Sequence, residues 1–297
     1  MKPKQIVIIS GKGGTGKTVL AAAFTTLAQN RVTADCDVDA ANLHLLLKPR
    51  IRATYLLRCG TTAWINPEIC IGCATCVDIC RFGAAQGHGS IDSIACEGCG
   101  FCKWVCPAGA IEMKEQVSGD WYVSESRFGR FVHGRLGIAE ENSGKMVDAI
   151  RQRAVEEAGK SRTEWIIVDG SPGIGCPVIA SLTGSDYALV VTEPTRAGIH
   201  DADRVMSVAK NFKIPVGVIV NKYDLNPEMT LEIEKFCTSR GVQMLGKIKF
   251  HESVVTAMIE GKTVLEYSDQ TLRNEIVDIW NRIQSAVTQQ SEKINQL

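Results

Sequence analysis

Ser10-Gly11-Lys12-Gly13-Gly14-Thr15-Gly16-Lys17-Thr18 is the stretch on which the reading of the chain turns. It follows the apolar run Ile6-Val7-Ile8-Ile9 and precedes the alanine-rich run Val19-Leu20-Ala21-Ala22-Ala23-Phe24. Strand, glycine loop and helix therefore succeed one another, and Gly11, four residues, Gly16-Lys17-Thr18 completes a phosphate-binding loop. Gly11, Gly13, Gly14 and Gly16 leave no Cβ in the way, so successive backbone amides, that of Thr15 included, can turn inward on an anion. The helix beginning near Lys17 adds its positive end. Lys17 is expected to reach the β- and γ-phosphates, and the Thr18 hydroxyl to ligate Mg²⁺.

Lys12 is not required by an ordinary loop of this kind. Lys-Gly-Gly-Thr-Gly-Lys-Thr resembles the deviant loop of the MinD, ParA, Mrp and nitrogenase iron protein group of ATPases. In that group the early lysine crosses a dimer interface to the partner's nucleotide. The resemblance implies that Lys12 acts like an arginine finger supplied in trans. It implies ATP as ligand and a dimer, with itself or with a related ATPase.

Other acids stand where ligands of open α/β sheets gather, at the ends of strands. Arg31-Val32-Thr33-Ala34-Asp35 reads as a short strand running into Asp35-Cys36-Asp37-Val38-Asp39. Asp37 matches the family's switch aspartate, which positions the attacking water and the metal shell. Asp39, before Ala40-Ala41-Asn42-Leu43, also suits a helix N-cap. Further on, Trp165-Ile166-Ile167-Val168-Asp169 is an apolar strand ending in an acid suited to the outer shell of Mg²⁺. The Gly170-Ser171-Pro172-Gly173 that follows resembles the second switch, in which the Gly173 amide senses the γ-phosphate. Val216-Gly217-Val218-Ile219-Val220 ends in Asn221-Lys222-Tyr223-Asp224. The resemblance gives Asn221 to the purine base, yet Asn-Lys-x-Asp is also the guanine-reading pattern, so ATP is favoured with GTP open.

Residues 60–116 break the strand–helix alternation and hold eight of the twelve cysteines. Cys-x2-Cys-x2-Cys-x3-Cys occurs twice, at Cys70, Cys73, Cys76, Cys80 and at Cys96, Cys99, Cys102, Cys106, offset by 26 residues at every position. This is the spacing of bacterial two-cluster ferredoxins, whose fourth cysteine serves the other cluster. It predicts one [4Fe-4S] cluster on Cys70, Cys73, Cys76 and Cys106, and a second on Cys96, Cys99, Cys102 and Cys80. Gly72, Ala74, Gly98 and Gly100 between the ligands let the backbone wrap the clusters. Structural zinc, the competing reading, uses four ligands as two separated pairs, which these runs do not provide. Cys106 precedes Pro107 as the pattern wants, whereas Cys80 precedes Arg81, read as a surface residue or as a hydrogen-bond donor near a cluster that would raise its potential. His88, Trp64 and Trp104 are read as packing or surface residues. Cys176 lies seven residues after Asp169, where the nitrogenase iron protein carries a cluster ligand near its two-fold axis. No second cysteine accompanies it, so a buried structural thiol is the default reading of Cys176, with a redox or metal role kept as the alternative, and Cys36, Cys59 and Cys237 are read as structural thiols.

Thirty-three basic residues balance thirty-three acidic ones, so no global field favours nucleic acid or a membrane. Hydrophobic content of 45% and charge of 22% suit a soluble globular chain. No apolar run approaches the roughly 18 residues of a spanning helix, and no signal peptide fits the N-terminus, so a cytoplasmic setting without stable membrane insertion is expected. Cysteines there argue for metal rather than disulfides. The final helix places Leu272, Ile276, Ile279, Trp280, Ile283 and Val287 on one face. Only Arg273 and Arg282 would make a basic face, so it docks on the core rather than on lipid. Asn142 or Ser143 would cap the helix carrying Met146, Val147 and Ile150, and the tail from Gln289 should fray.

The fold expected is α/β: a mostly parallel, helix-flanked P-loop sheet over 1–59 and 117–297, with a small α+β ferredoxin-like domain inserted at 60–116. The function expected is ATP-driven dimer closure gating electron transfer through two clusters to a partner protein. Two alternatives stand beside it: a carrier or scaffold passing clusters or metal to a client, and a positioning ATPase that uses its ferredoxin part for docking.

Overall fold

The structure, a computed structural model, describes residues 2–86, 89–137, 143–267 and 270–295. His88 and Asn142 lie outside the described residues. The chain divides into two compact units, Met1–Tyr55 with Trp121–Arg135 and Ser143–Leu297, and Leu56–Asp120 with Leu136–Asn142.

The first unit is built on a parallel sheet. Its strands are β1 (Lys4–Ser10), β2 (Arg31–Asp35), β7 (Gly129–Leu136), β8 (Trp165–Pro172), β9 (Tyr187–Thr192), β10 (Val216–Asn221) and β11 (Gln243–Ile248). Two long strands, β3 (Arg50–Ile65) and β6 (Ile111–Ser126), complete a nine-stranded order β11-β10-β9-β1-β8-β2-β7-β6-β3. β1 lies parallel between β8 and β9, and Ile6, Val7, Ile8 and Ile9 are all fully buried. A parallel strand covered on both faces reads as a continuous apolar run for this reason. The two-residue turn Arg127–Phe128 joins β6 to β7, so that pair is antiparallel.

Helices cover both faces. Ile6 and Ile8 share a core with α1 (Lys17–Leu27) and α10 (Gln270–Asn295). There Trp280 packs against Phe24 at 5.6 Å and Trp165 at 5.1 Å between ring centroids. The predicted stripe of α10 is the buried one: Leu272, Ile276, Ile279, Trp280, Ile283 and Val287 are at most 4% exposed. The helix continues to Asn295, beyond the expected fraying point at Gln289, because its stripe keeps it docked through Val287. Gln5 alternates with Ile6 and so faces the other side, where Arg151 of α5 (Ser143–Gly159) donates to its Oε1 at 2.9 Å. Ser143 is the first residue of α5. α6 (Cys176–Leu182), α7 (Arg196–Asn211), α8 (Pro227–Ser239) and α9 (Glu252–Ile259) complete the helical cover.

Two expectations of local structure are corrected. Asp39 caps no helix: the next one, α2, spans Leu43–Leu47, and the Leu43 amide donates to Asp35 instead. Cys176 is exposed at the first turn of α6, whereas Cys36, Cys59 and Cys237 are buried as expected. No helix among the described residues is long and apolar enough to cross a membrane.

The second unit holds α3 (Thr75–Ile79), α4 (Phe101–Val105), and the short pair β4 (Ala85–Gln86) and β5 (Ser90–Ile91). The sequence repeat is a repeat of backbone. α3 and α4 are each five residues long and stand 26 apart, as do their positive-φ leads Ala74 (60°) and Gly100 (73°). Gly72 (69°) pairs with Gly98 (63°), and Gly83 (63°) with Gly109 (62°), at the same offset. Cys70, Cys76, Cys96, Cys102 and Cys106 pack against a small core of Ala63, Ile65 and Ile111.

Candidate nucleotide and cysteine sites

β1 delivers Ser10 to the carboxyl edge of the sheet, and α1 starts at Lys17, so residues 11–16 form the loop between. Gly16 has φ 95°, and a Cβ there would overlap the Asn221 amide, which donates to the Thr15 carbonyl at 2.8 Å. Glycine is required on both counts. Gly11 packs so closely on Asp201 of α7 that a Cβ would overlap its backbone. Lys17 is 5% exposed and lies 3.4 Å from Asp37 Oδ2. Burial raises the Asp37 pKa, against the pull of Lys17.

Several buried polar atoms in this cradle lack partners. The Thr15 hydroxyl and both carboxylate oxygens of Asp169 are buried with no donor or acceptor in hydrogen-bonding geometry. Burial pushes the Asp169 pKa up to about 7, against Lys17 and the nearby Thr18 hydroxyl. Orphaned buried atoms cost free energy unless a ligand meets them. A cavity of about 600 Å³ is lined by Gly13, Gly14, Gly16, Lys17 and Thr18 of the loop and α1, by Asp37 and Asn221, and by the apolar Leu45, Phe250, Val254 and Met258. The donor set fits a phosphate and a hydrated cation, and the apolar wall fits a base. Thr18 and Asp37 would hold Mg²⁺ in that arrangement, with Asp169 behind them.

Asp35 lies opposite Asp169 in the β2–β8 register and is also fully buried. Burial, and then the Asp169 charge, raise its pKa well above the usual carboxylate range. Its Oδ1 accepts from the Asp37 amide at 3.2 Å and its Oδ2 from the Leu43 amide at 3.3 Å. Asp35 thus ties down both ends of the loop that carries Asp37.

The remaining sequence candidates are engaged within the chain. The Gly173 amide donates to the Ser10 carbonyl at 2.8 Å. Lys12 Nζ lies 3.1 Å from Glu193 Oε2. Asp224 Oδ1 accepts from the Phe250 amide at 2.6 Å, so the acid a guanine reader needs is committed to the loop after β11. Asn221 is held between Thr15 and the Lys222 amide. Sequence reasoning missed Glu193, although its place one residue past an apolar strand is where ligands of such sheets collect. It also missed the tether made by Asp35.

The eight clustered cysteines divide between two cavities. Cys80, Cys96, Cys99 and Cys102 line one of about 520 Å³. Cys70, Cys73, Cys76 and Cys106 line another. These are the two cross-paired sets expected from the spacing. Backbone amides, the Ala85 amide foremost, hold the Cys80 thiol below its usual range, and the Ala110 amide donates to Cys106 Sγ at 3.3 Å. Among the described residues no three of Cys, His, Asp and Glu approach closely enough to hold a single metal ion. A four-iron cluster takes one thiolate at each of its four irons, and so sets them further apart than the ligands of one ion.

Comparison with known proteins agrees with the nucleotide-binding loop. The family model described as the CobQ/CobB/MinD/ParA nucleotide binding domain matches residues 6–264. An uncharacterised protein of Methanocaldococcus jannaschii, MJ0578, is 35% identical over 226 residues, covering 75% of this chain and 79% of its own. A second from that organism, MJ0579, is 29% identical over 284 residues, covering 94% and 97%. The septum site-determining protein MinD complexed with Mg-ADP from Pyrococcus horikoshii superposes with a TM-score of 0.58 at 16% identity, covering 97% of this chain and 98% of that one. The chain is a P-loop ATPase belonging to the CobQ/CobB/MinD/ParA nucleotide-binding family.

Proposed function

We propose that this protein is an iron–sulfur ATPase in which ATP binding and hydrolysis in a dimer gate electron transfer to a partner protein. The observation that carries the reading is the division of eight cysteines into two cavities, each lined by one cross-paired set. The second unit is then a two-cluster ferredoxin-type insertion, and Cys70, Cys73, Cys76 and Cys106 hold one [4Fe-4S] cluster, Cys80, Cys96, Cys99 and Cys102 the other. Such clusters, when bound, store and pass single electrons.

The chain's own residues do the rest. Lys17 and the loop amides bind the phosphates, Thr18 and Asp37 take the Mg²⁺ ion, and Asp37 orients the attacking water. Asn221 and the apolar wall receive the base. The Asp224–Phe250 bond supports ATP over GTP. Gly173 and Lys12 distinguish ATP from ADP, so two states of one dimer become available to bias. The insertion lies in sequence between Asp37 and Asp169, the two acids that frame the metal.

Anaerobic potentiometric titration by EPR, with and without Mg-ATP, tests the reading. A shift of about 59 mV in a one-electron couple is a tenfold change in the reduction equilibrium, and a shift of that order is expected. Protein with intact clusters that neither hydrolyses ATP nor changes its redox behaviour with it would sink the idea. A second reading, cluster or metal delivery to a client, is favoured by the exposure of Cys176. It predicts that labelled iron reaches an apo-ferredoxin at a rate that falls on Cys176→Ala; a rate indifferent to that change and to ATP removes it.

A further inference from the structure

Glu193 stands one residue past the end of β9, at the edge where the phosphate loop opens. Its two oxygens serve two lysines from different loops. Oε2 lies 3.1 Å from Lys12 Nζ, and Oε1 accepts from Lys222 Nζ at 2.6 Å. The carboxylate is 16% exposed. Burial pushes its pKa up, but the two lysines outweigh burial and hold it below the usual range. Its backbone is equally committed: the Glu193 carbonyl accepts from the Thr195 amide at 2.7 Å. On the Lys12 side, Ser10 Oγ donates to the Lys12 carbonyl at 2.6 Å. On the other side, Lys222 holds a left-handed φ of 55° with its amide on Asn221 Oδ1. One carboxylate therefore joins the phosphate loop, the β9–α7 connection and the loop that follows β10.

We propose that Glu193 is a positioning residue that keeps Lys12 on its own subunit until a second nucleotide-loaded copy of this chain competes for it. The proposal rests on the reading of Lys12 as a lysine that works across a dimer. An ammonium paired with Glu193 is withdrawn from a partner's phosphates, so the dimer cannot close until the pair opens. Phosphate oxygens carry more charge than one carboxylate, and the exchange runs toward them once they are presented. Lys222 makes the exchange reversible. It stays on Oε1 when Lys12 leaves Oε2, so no bare, half-buried carboxylate is left behind.

Glu193→Gln in the full-length protein keeps the shape and the acceptor for Lys222 and removes the charge facing Lys12. Two changes are expected. Lys12 in the nucleotide-free monomer is acylated faster, read by mass spectrometry. The protein concentration at the midpoint of Mg-ATP-driven dimerisation, read by analytical ultracentrifugation, falls about fivefold per released pair and so about 25-fold for a symmetric dimer, the scale of a partly exposed ion pair. Lys222→Met, which loosens the same loops but leaves the Lys12 pair, is expected to leave Lys12 acylation slow. An unchanged or higher midpoint in Glu193→Gln overturns the proposal, as does equal acceleration of acylation in Lys222→Met. An unmoved midpoint overturns it alone if Lys12→Ala abolishes nucleotide-dependent dimerisation, and together with the trans-lysine reading if Lys12→Ala dimerises like the wild type.

Discussion

Asp169 combines complete burial, two orphaned oxygens and a pKa pushed up to about 7. Its raised value means that the nucleotide-free protein gains stability from the protonated form and loses it as pH rises toward and through about 7. A bound cation favours the ionised form, so Mg-nucleotide binding at about pH 6 should release a proton from the Asp35–Asp169 pair. Calorimetry in buffers of different ionisation heat measures it, and Asp169→Asn should abolish most of the release. Lys17→Ala should lower turnover on the order of 10²–10³-fold, the loss typical of removing one preorganised charge. Steady-state ATPase assays check this; a change in KM alone would count against the role. Asp224→Ala should leave the ATP-to-GTP selectivity unchanged, because its carboxylate already serves Phe250, and competition binding decides. At this scale residue types at fixed spacing were readable from the sequence, as at Lys17 and Asp169. Partnerships were not: Glu193 meets Lys12 across 181 positions of chain, and only the fold brings them together.

Elements were legible where burial imposes a period. The stripe of α10 and the apolar runs of β1, β8 and β9 follow directly from being covered on one face or two. β3 escaped notice because it is the last strand of the sheet and half exposed, with Arg50, Arg52 and Arg58 among its residues. Charged edge strands resist unwanted pairing and lose the apolar signature in doing so. Asp39 was a plausible cap by spacing alone, but the helix it would have capped starts later, at Leu43. The cap of α7 is unambiguous: Thr195 Oγ1 accepts from the Gly198 amide at 2.9 Å. Thr195→Ala should cost about 1 kcal/mol, seen as a fall of about 2–4 °C in Tm. Trp280→Ala removes the ring between Phe24 and Trp165 and should cost about 3–5 kcal/mol, measurable by chemical denaturation.

For the molecule as a whole, the division of labour is written in two kinds of repetition. The ATPase unit alternates strand and helix; the cysteine unit repeats itself at a 26-residue offset in both ligands and backbone. The first pattern is shared with the nucleotide-binding family, the second is specific to the chemistry proposed for this chain. Lys12→Ala should bind nucleotide as a monomer yet lose about 10³-fold or more in turnover, the scale of a finger supplied in trans. Equal turnover of the variant would show that each subunit is self-sufficient. One contact bears on how such a machine returns to rest. The Gly173 amide is spent on the carbonyl of Ser10, a residue with no exposure. For that amide to meet a phosphate it must abandon a buried acceptor, so detection is a swap of one hydrogen bond for another rather than a net gain. A swap has a small free-energy difference in either direction. In the proposed reading of Gly173 as the phosphate sensor, the bond to Ser10 re-forms when the phosphate departs, so the resting contact is itself the reset.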